Sequence, residues 1–351
     1  MSSARAIAIF AAVAVVYAVG THIPLPGADP KVLANMAPGA IARISIFALG
    51  TGPLLAVFGW IELARLVPYR PDWGRDDRLR RIGRIVVKLL VLALAALQGR
   101  GIAASLAAGG LVPAEFDLFP PLAVGSYVGA TAIFLFLSDR IRLTGLRNGF
   151  WLLWCMPVLA GLPSALAAAF DMSRGGALSP SIWALGGGLL VLSVGLLVLA
   201  AGLWQAVWQR AVSAGTPPSA TAPLEILIWP IVLSEMATVL LLNLLAMVAP
   251  MAIGELSPVL EICFLVLQSL LIVPFVFAYL RQGGVGARNN PLAVATALGI
   301  AGLQILLVWS NYGLMLGNGF PPGIGGLSVA ALTVSFLGLL GARRRGVRRA
   351  R

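Results

Sequence analysis

Glu235 is the residue of this sequence whose position could support chemistry most readily. It lies about ten residues into an apolar run that begins near Glu225, and so near the middle of a membrane span. A carboxylate at that depth faces a water-filled path, pairs with a cation, or is held neutral by hydrogen bonds between helices. Arg43 and Arg100 are the candidate cations at membrane depth. Taken alone, Glu235 favours a proton-coupled transporter of a small solute.

Other catalytic or metal-binding chemistry has little support in the sequence. The chain has one histidine, His22, and 13 carboxylates, most of them outside the apolar runs. It contains no HExxH or GxSxG motif, and the glycine run 186–188 lacks the lysine of a phosphate loop. Cys155 and Cys263 lie in separate apolar runs without a ligand-spaced partner. We therefore expect no enzyme activity, no metal site and no cofactor.

The composition places the chain in a membrane. Of its 351 residues, 59% are hydrophobic and 11% are charged, and the mean hydropathy of +0.94 is too high for a soluble domain. About ten stretches reach the length of a span, with Pro, Gly or charged residues between them. The predicted spans are 5–22, 44–66, 84–106, 120–138, 149–169, 182–207, 225–249, 258–281, 291–311 and 324–341. The predicted fold class is an all-α polytopic membrane protein, and the second span should be broken at 50–53 by Gly and Pro.

The basic residues follow the membrane topology. The net charge is +12, and Lys and Arg crowd alternate loops and the C-terminal tail, which places both termini in the cytoplasm. The most basic loop, 67–83, is predicted to lie against anionic lipid or to dock a cytosolic partner. Its candidate docking residues are Arg75, Arg78, Arg80 and Arg81. The pattern does not indicate nucleic-acid binding.

Sequence motifs at the ends of the first spans resemble one known family. Residues 21–27 read Thr-His-Ile-Pro-Leu-Pro-Gly, and residues 39–50 read Gly-Ala-Ile-Ala-Arg-Ile-Ser-Ile-Phe-Ala-Leu-Gly, with Pro53 shortly after. Both resemble motifs of the SecY protein-conducting channel. The Leu-Arg-Asn-Gly at 146–149 resembles the start of that family's fifth helix. Pro-Leu at 223–224 and Gly-Gly-x-Ser at 325–328 resemble, more weakly, the starts of its seventh and tenth helices.

The resemblance implies a clamshell of two inverted five-helix halves, residues 1–175 with helices 1–5 and residues 176–351 with helices 6–10 and the basic tail. A pore lies between the halves in that family, and a lateral gate formed by the second and seventh helices opens to lipid. Its work is to move unfolded polypeptide across or into the bacterial inner membrane. These properties are the expectations that the family resemblance sets for this chain.

The resemblance also assigns roles to single residues. The pore ring would consist of Thr51, Leu55, Phe150, Trp154, Glu235 and Ala331. Gly50, Gly52 and Pro53 would bend the gate helix, Gln98 would line the gate, and Arg43 would lie at the pore rim. The family's ring is aliphatic, so a ring with a hydroxyl, two large aromatic rings and a carboxylate would be an unusual seal.

The implied partners are SecE-like and SecG-like small membrane subunits, unfolded polypeptide, anionic lipid, and a SecA motor or a ribosome. The loops that receive the motor or ribosome in SecY are short here, at about 210–222 and 281–290. Three functions therefore stay open: a general translocation channel, a specialised SecY paralogue for a dedicated substrate or a non-conducting scaffold, and the proton-coupled solute transporter based on Glu235.

Overall fold

A computed structural model describes residues 3–35, 41–66, 77–113, 116–176, 179–213, 222–248, 257–282, 291–318 and 325–349. Within these ranges the chain forms ten long helices, which match the ten predicted spans in order and confirm the all-α class. They are α1 Ser3–His22, α2 Gly52–Leu66, α3 Asp77–Ala108, α4 Phe119–Arg140, α5 Phe150–Arg174, α6 Pro180–Ser213, α7 Trp229–Val248, α8 Ser257–Gln282, α9 Pro291–Asn318 and α10 Gly326–Arg349. A five-residue helix, Pro30–Ala34, and two 3₁₀ turns, Ala42–Ile44 and Glu225–Leu227, complete the described helical structure.

Many of these helices are long and apolar enough to cross a bilayer. In the described part of the chain, six meet that criterion: Arg81–Ala108, Phe119–Arg140, Phe150–Arg174, Pro180–Arg210, Val259–Gln282 and Pro291–Ser310. Three shorter apolar helices are Ala8–His22, Trp229–Leu245 and Gly326–Leu340. The chain is therefore a multi-pass membrane protein.

The second predicted span, 44–66, is broken as expected, but only its later part is an α-helix. Residue Gly50 has φ +52°, in the left-handed region that Gly tolerates best. Helix α2 starts at Gly52, and Pro53 occupies its first turn, where a missing N–H leaves no helical hydrogen bond unmade. The residues before it form a 3₁₀ turn and turns instead, so α2 has 15 residues and is roughly 22 Å long.

The described chain divides into two compact units. The first unit comprises Met1–Arg142 and Asn148–Ala160, and the second comprises Leu143–Arg147 and Gly161–Arg351. The boundary therefore passes through α5. In addition, five residues of the loop between α4 and α5 pack with the second unit.

The first unit is built around the antiparallel neighbours α3 and α4. Small side chains at the contact, such as Ala103 of α3 and Ala123 of α4, are fully buried and let the two helices approach closely. The apolar cluster around them extends into the turn after α1 and the segment before α2; its members are Leu25, Ile44, Ala103, Phe119, Ala123 and Tyr127.

The second unit packs α8 against both α7 and α9, and α6 against both α9 and α10. Polar contacts supplement the apolar packing. The Trp309 indole Nε1 of α9 donates a hydrogen bond to Ser269 Oγ of α8 at 2.9 Å, and the Gln304 amide of α9 donates to the Ile226 carbonyl at 2.8 Å. Hydrogen bonds of this kind help to fix helices that lipid alone would not order.

Candidate functional site

The two motifs that carry the family resemblance contact each other in the first unit. Pro24 and Ser45 form an isolated antiparallel bridge. The Leu25 N–H donates to the Ile44 carbonyl at 2.9 Å, and the Ile46 N–H donates to the Ile23 carbonyl at 3.0 Å. These backbone bonds hold the segment that precedes α2 against the turn that ends α1, and they therefore fix the place where α2 starts.

Four predicted ring positions lie on α2 and α5 of the first unit or directly before α2. Thr51 is buried, whereas Leu55, one turn later, is half-buried. The Phe150 ring is fully buried and meets the Phe58 ring of α2 edge to face at 5.4 Å between centroids. Trp154 is half-buried on α5. Phe150 therefore joins α5 to α2, and the assignment of these positions to a pore ring stays a prediction.

The remaining first-unit candidates lie around these helices. Gln98 is half-buried on α3, which packs against α2. Arg43 is exposed in the 3₁₀ turn before α2. Gly50, Gly52 and Pro53 mark the start of α2, as described above. Roles for these residues at a gate or a pore rim stay predictions.

The two ring candidates of the second unit have different surroundings. Ala331 of α10 is fully buried. Glu235 of α7 is exposed, and among the described residues it makes no hydrogen bond or ion pair. Of the three environments that the sequence leaves open for Glu235, an ion pair is not found in the described part of the chain.

Three of the four basic residues predicted to dock a partner lie at the start of α3. Arg78 and Arg81 are exposed, Arg80 is part of the same helix, and Arg75 lies outside the described residues. Further along α3, the Lys88 ammonium contacts the Asp139 carboxylate of α4 at 2.5 Å. This exposed pair ties α3 to α4, and docking by the arginines stays a prediction.

Sequence reasoning missed a buried ion pair in the second unit. The Glu225 carboxylate, only 3% exposed, accepts hydrogen bonds from the Arg147 backbone N–H at 3.2 Å and from Arg147 Nε at 2.6 Å. A terminal guanidinium nitrogen of Arg147 contacts the same carboxylate. Arg147 lies within one motif of the family resemblance, residues 146–149, and Glu225 directly follows another, residues 223–224. Their opposite charges were the available signal, but a separation of 78 residues gave no reason to pair them.

The ion pair belongs to a larger attachment of Leu143–Arg147, here called the 143–147 strap. The Leu224 N–H donates to the Gly145 carbonyl, and the Thr144 N–H donates to the Gly338 carbonyl, each at 3.0 Å. Gly145 has φ +84°, and a Cβ there would lie 2.8 Å from Leu224 Cγ. The strap thus binds both the segment that leads into α7 and the middle of α10, and its position requires Gly at 145.

No group of His, Cys, Asp or Glu suited to a metal ion occurs among the described residues. Cys155 is buried and Cys263 is exposed, and they form no disulfide. Within the described ranges, the Glu225 pair and Glu235 are the two acidic features at the start of α7 and inside it.

Comparison with known proteins gives protein translocase subunits among the sequence relatives. No family model matches the sequence. The protein translocase subunit SecY of Rickettsia felis is 30% identical over 190 residues, which cover 46% of this chain and 43% of the relative. SecY of Pseudomonas aeruginosa is 30% identical over 200 residues, 51% of this chain and 44% of the relative. The matches thus span less than half the length of these relatives.

The fold comparison extends over nearly the whole chain. A solved protein-conducting channel matches with a TM-score of 0.50 at 11% identity, covering 95% of this chain and 91% of that one. A SecY channel solved in a study of its plug domain matches with a TM-score of 0.55 at 10% identity and the same coverage. At sequence identities this low, the structural similarity shows a shared fold.

Proposed function

The chain is a SecY-family protein, and on that premise we propose that it is a protein-conducting channel subunit of the bacterial inner membrane. Its substrate is unfolded polypeptide, which it moves across or into the bilayer. The observation that carries this proposal is the match to channel structures over 95% of the chain, together with relatives named protein translocase subunit SecY.

The work of such a channel involves no covalent chemistry. Each peptide group that enters hydrocarbon without a hydrogen-bond partner costs several kcal/mol, so a passage lined by protein and water lowers the barrier. We assign the pore to the space between two inverted halves, 1–175 and 176–351. The narrowest ring then consists of Thr51, Leu55, Phe150, Trp154, Glu235 and Ala331.

In this proposal α2 and α7 form the lateral gate. The break at Gly50, Gly52 and Pro53 lets α2 start at an angle set by the Pro24–Ser45 bridge. Gln98 lines the gate from α3, and Arg43 lies at the pore rim. The 143–147 strap fixes the segment leading into α7, so the gate helix has an anchored end.

The proposed partners are small membrane subunits of the SecE and SecG type and a SecA motor or ribosome. Arg75, Arg78, Arg80 and Arg81 are the proposed docking residues for a cytosolic partner or for anionic lipid. Because α8 ends at Gln282 and α9 begins at Pro291, the connecting loop is short. This shortness favours the second candidate function, a specialised SecY paralogue for a dedicated substrate or a non-conducting scaffold.

Photocrosslinking in cells tests the channel function. A photoreactive amino acid is placed at Leu55 or Trp154, and a secretory precursor is stalled in transit. Val191 of α6, 74% exposed, and Leu270 of α8, 65% exposed, serve as lipid-facing controls. We expect adducts at the first two positions and none at the controls. If adducts are absent while an ordinary SecY in the same cells gives them, general translocation is wrong and the specialised or scaffold function is favoured.

A further inference from the structure

We propose that one exposed sector of α7, carrying Glu235 and Asn243, selects polypeptide segments with positively charged side chains. This inference rests on the proposed channel function and names the substrate chemistry that the channel would favour. The ligand is a Lys or Arg side chain of the moving polypeptide, together with the peptide groups next to it.

The polar residues of α7 separate into two sets. Ser234 and Thr238 are fully buried, and their hydroxyls donate to backbone carbonyls of their own helix, those of Ile231 at 2.8 Å and Ser234 at 2.7 Å. Glu235 and Asn243 are exposed, and neither makes a hydrogen bond or ion pair among the described residues. The hydroxyls of Ser234 and Thr238 therefore bond within the helix, whereas the side chains of Glu235 and Asn243 can still bond a ligand.

Both free groups lie on the same side of α7. Glu235 and Asn243 are eight residues apart, which in an α-helix corresponds to a net rotation of about 80° about the axis and a rise of about 12 Å. The carboxylate and the amide therefore lie along one sector of the helix surface. Val239, midway between them, is 43% exposed on that sector. A stripe with a carboxylate at one end and an amide at the other is poorly suited to lipid, because uncompensated polar groups in hydrocarbon are costly.

Three other carboxylates in or beside the described helices are already neutralised by a cation. Glu62 is 2% exposed and pairs with Arg65 at 3.2 Å, Glu225 pairs with Arg147, and Asp139 pairs with Lys88. Glu235 has no such cation in the described part of the chain. Asp171 of α5 and Glu261 of α8 lack one too, but each lies within about one turn of a helix end, whereas Glu235 lies further inside α7. In a narrow water-filled passage with apolar walls, the field of an unpaired carboxylate is screened less than in bulk water, so the carboxylate attracts a cation more strongly.

The spacing of the two groups fits a peptide better than a proton or a small solute. A stretch of about 12 Å corresponds to roughly four residues of extended chain. A Lys or Arg side chain could pair with Glu235 while the Asn243 amide, which both donates and accepts, bonds a peptide group further along. A proton or a small cation would use the carboxylate and leave the amide without a role.

The test compares two stalled precursors that are identical except for one residue, Lys or Gln, in the segment held in the channel. A photoreactive amino acid at Val239 reports contact, and a second one at Leu55 reports entry into the channel. In the wild-type background we expect the Lys precursor to crosslink at Val239 about tenfold more than the Gln precursor. Glu235→Gln should abolish this ratio, and Glu235→Asp, which keeps the charge, should retain most of it.

Glu261→Gln is the matched control. Glu261 is an exposed carboxylate on α8 that accepts a hydrogen bond from the Tyr312 hydroxyl at 3.4 Å, and its loss should leave the lysine preference unchanged. Equal crosslinking of both precursors at Val239 in the wild type, with adducts present at Leu55, overturns this inference and leaves the channel function standing. Adducts to neither precursor at either position overturn the channel function itself.

Discussion

Glu225 and Glu235 are the same residue type at two neighbouring places, the approach to α7 and its interior, and their surroundings are opposite. Glu225 is buried and bound by Arg147 through its backbone N–H and guanidinium. Glu235 is exposed and without a partner among the described residues. The difference indicates that the first carboxylate stabilises the fold, whereas the second makes no contact through which it could do so.

The largest effect should come from breaking the buried pair. Glu225→Ala leaves the Arg147 guanidinium without its anion in the second unit, and removal of one partner of a buried pair typically costs about 3–5 kcal/mol. We expect a corresponding loss in the free energy of unfolding, measured by denaturant titration in detergent micelles. The double variant Arg147→Met with Glu225→Leu is the control and should recover much of the loss. A Glu225→Ala protein as stable as the wild type would contradict a structural role for the pair.

A smaller loss in the free energy of unfolding is expected when the 143–147 strap is disturbed. Gly145→Ala places a Cβ at φ +84° and 2.8 Å from Leu224 Cγ, which should cost about 1–2 kcal/mol or more. The same denaturant titration measures it. Gly202→Ala on α6, where no atom lies within 4 Å of the added Cβ, should not destabilise and serves as the matched control. A Gly145→Ala protein as stable as Gly202→Ala would show that the strap does not hold α7.

The exposed ion pair between α3 and α4 should contribute still less to the free energy of unfolding. Lys88 and Asp139 have side chains that are 48% and 52% exposed, and such pairs contribute roughly 0.2–1 kcal/mol. Lys88→Gln should therefore lower the unfolding free energy by less than Gly145→Ala, and the effect should shrink further in high salt. A loss that is large and independent of salt would show that this surface pair is structurally equivalent to the buried one.

Glu235→Gln should have the smallest effect on stability. The carboxylate makes no hydrogen bond or ion pair in the described chain, so replacing it with a neutral side chain of equal size should leave the unfolding free energy unchanged or raise it. The measurement is the same titration, with Glu225→Gln as the paired comparison. A loss equal to that of Glu225→Gln would remove the contrast between the two carboxylates.

Much of the architecture followed from local sequence patterns. Apolar runs of membrane length are contiguous in sequence, so the ten helices and the break at Gly50 were predictable. The ends of the helices were less predictable. The helix α6 continues to Ser213 and α10 to Arg349, beyond the predicted ends at 207 and 341, because a helix does not end where its apolar residues end.

The candidate site could be predicted only in part. Glu235 was recognisable because a charge inside an apolar run is conspicuous in a single sequence. The Glu225 pair and the 143–147 strap were not predictable, because they depend on contacts between residues 78 or more positions apart. Likewise, the contact of Phe150 with Phe58 depends on how α2 and α5 approach each other. Residue types in sequence do not determine such distances.

Photocrosslinking from Leu55 to a stalled secretory precursor tests the central claim most directly, with Val191 of α6 as the lipid-facing control in the same cells. If the chain conducts polypeptide, the precursor should form an adduct at Leu55 and none at Val191. Equal labelling at the two positions, or none at Leu55 while an ordinary SecY in those cells is labelled, would contradict the account.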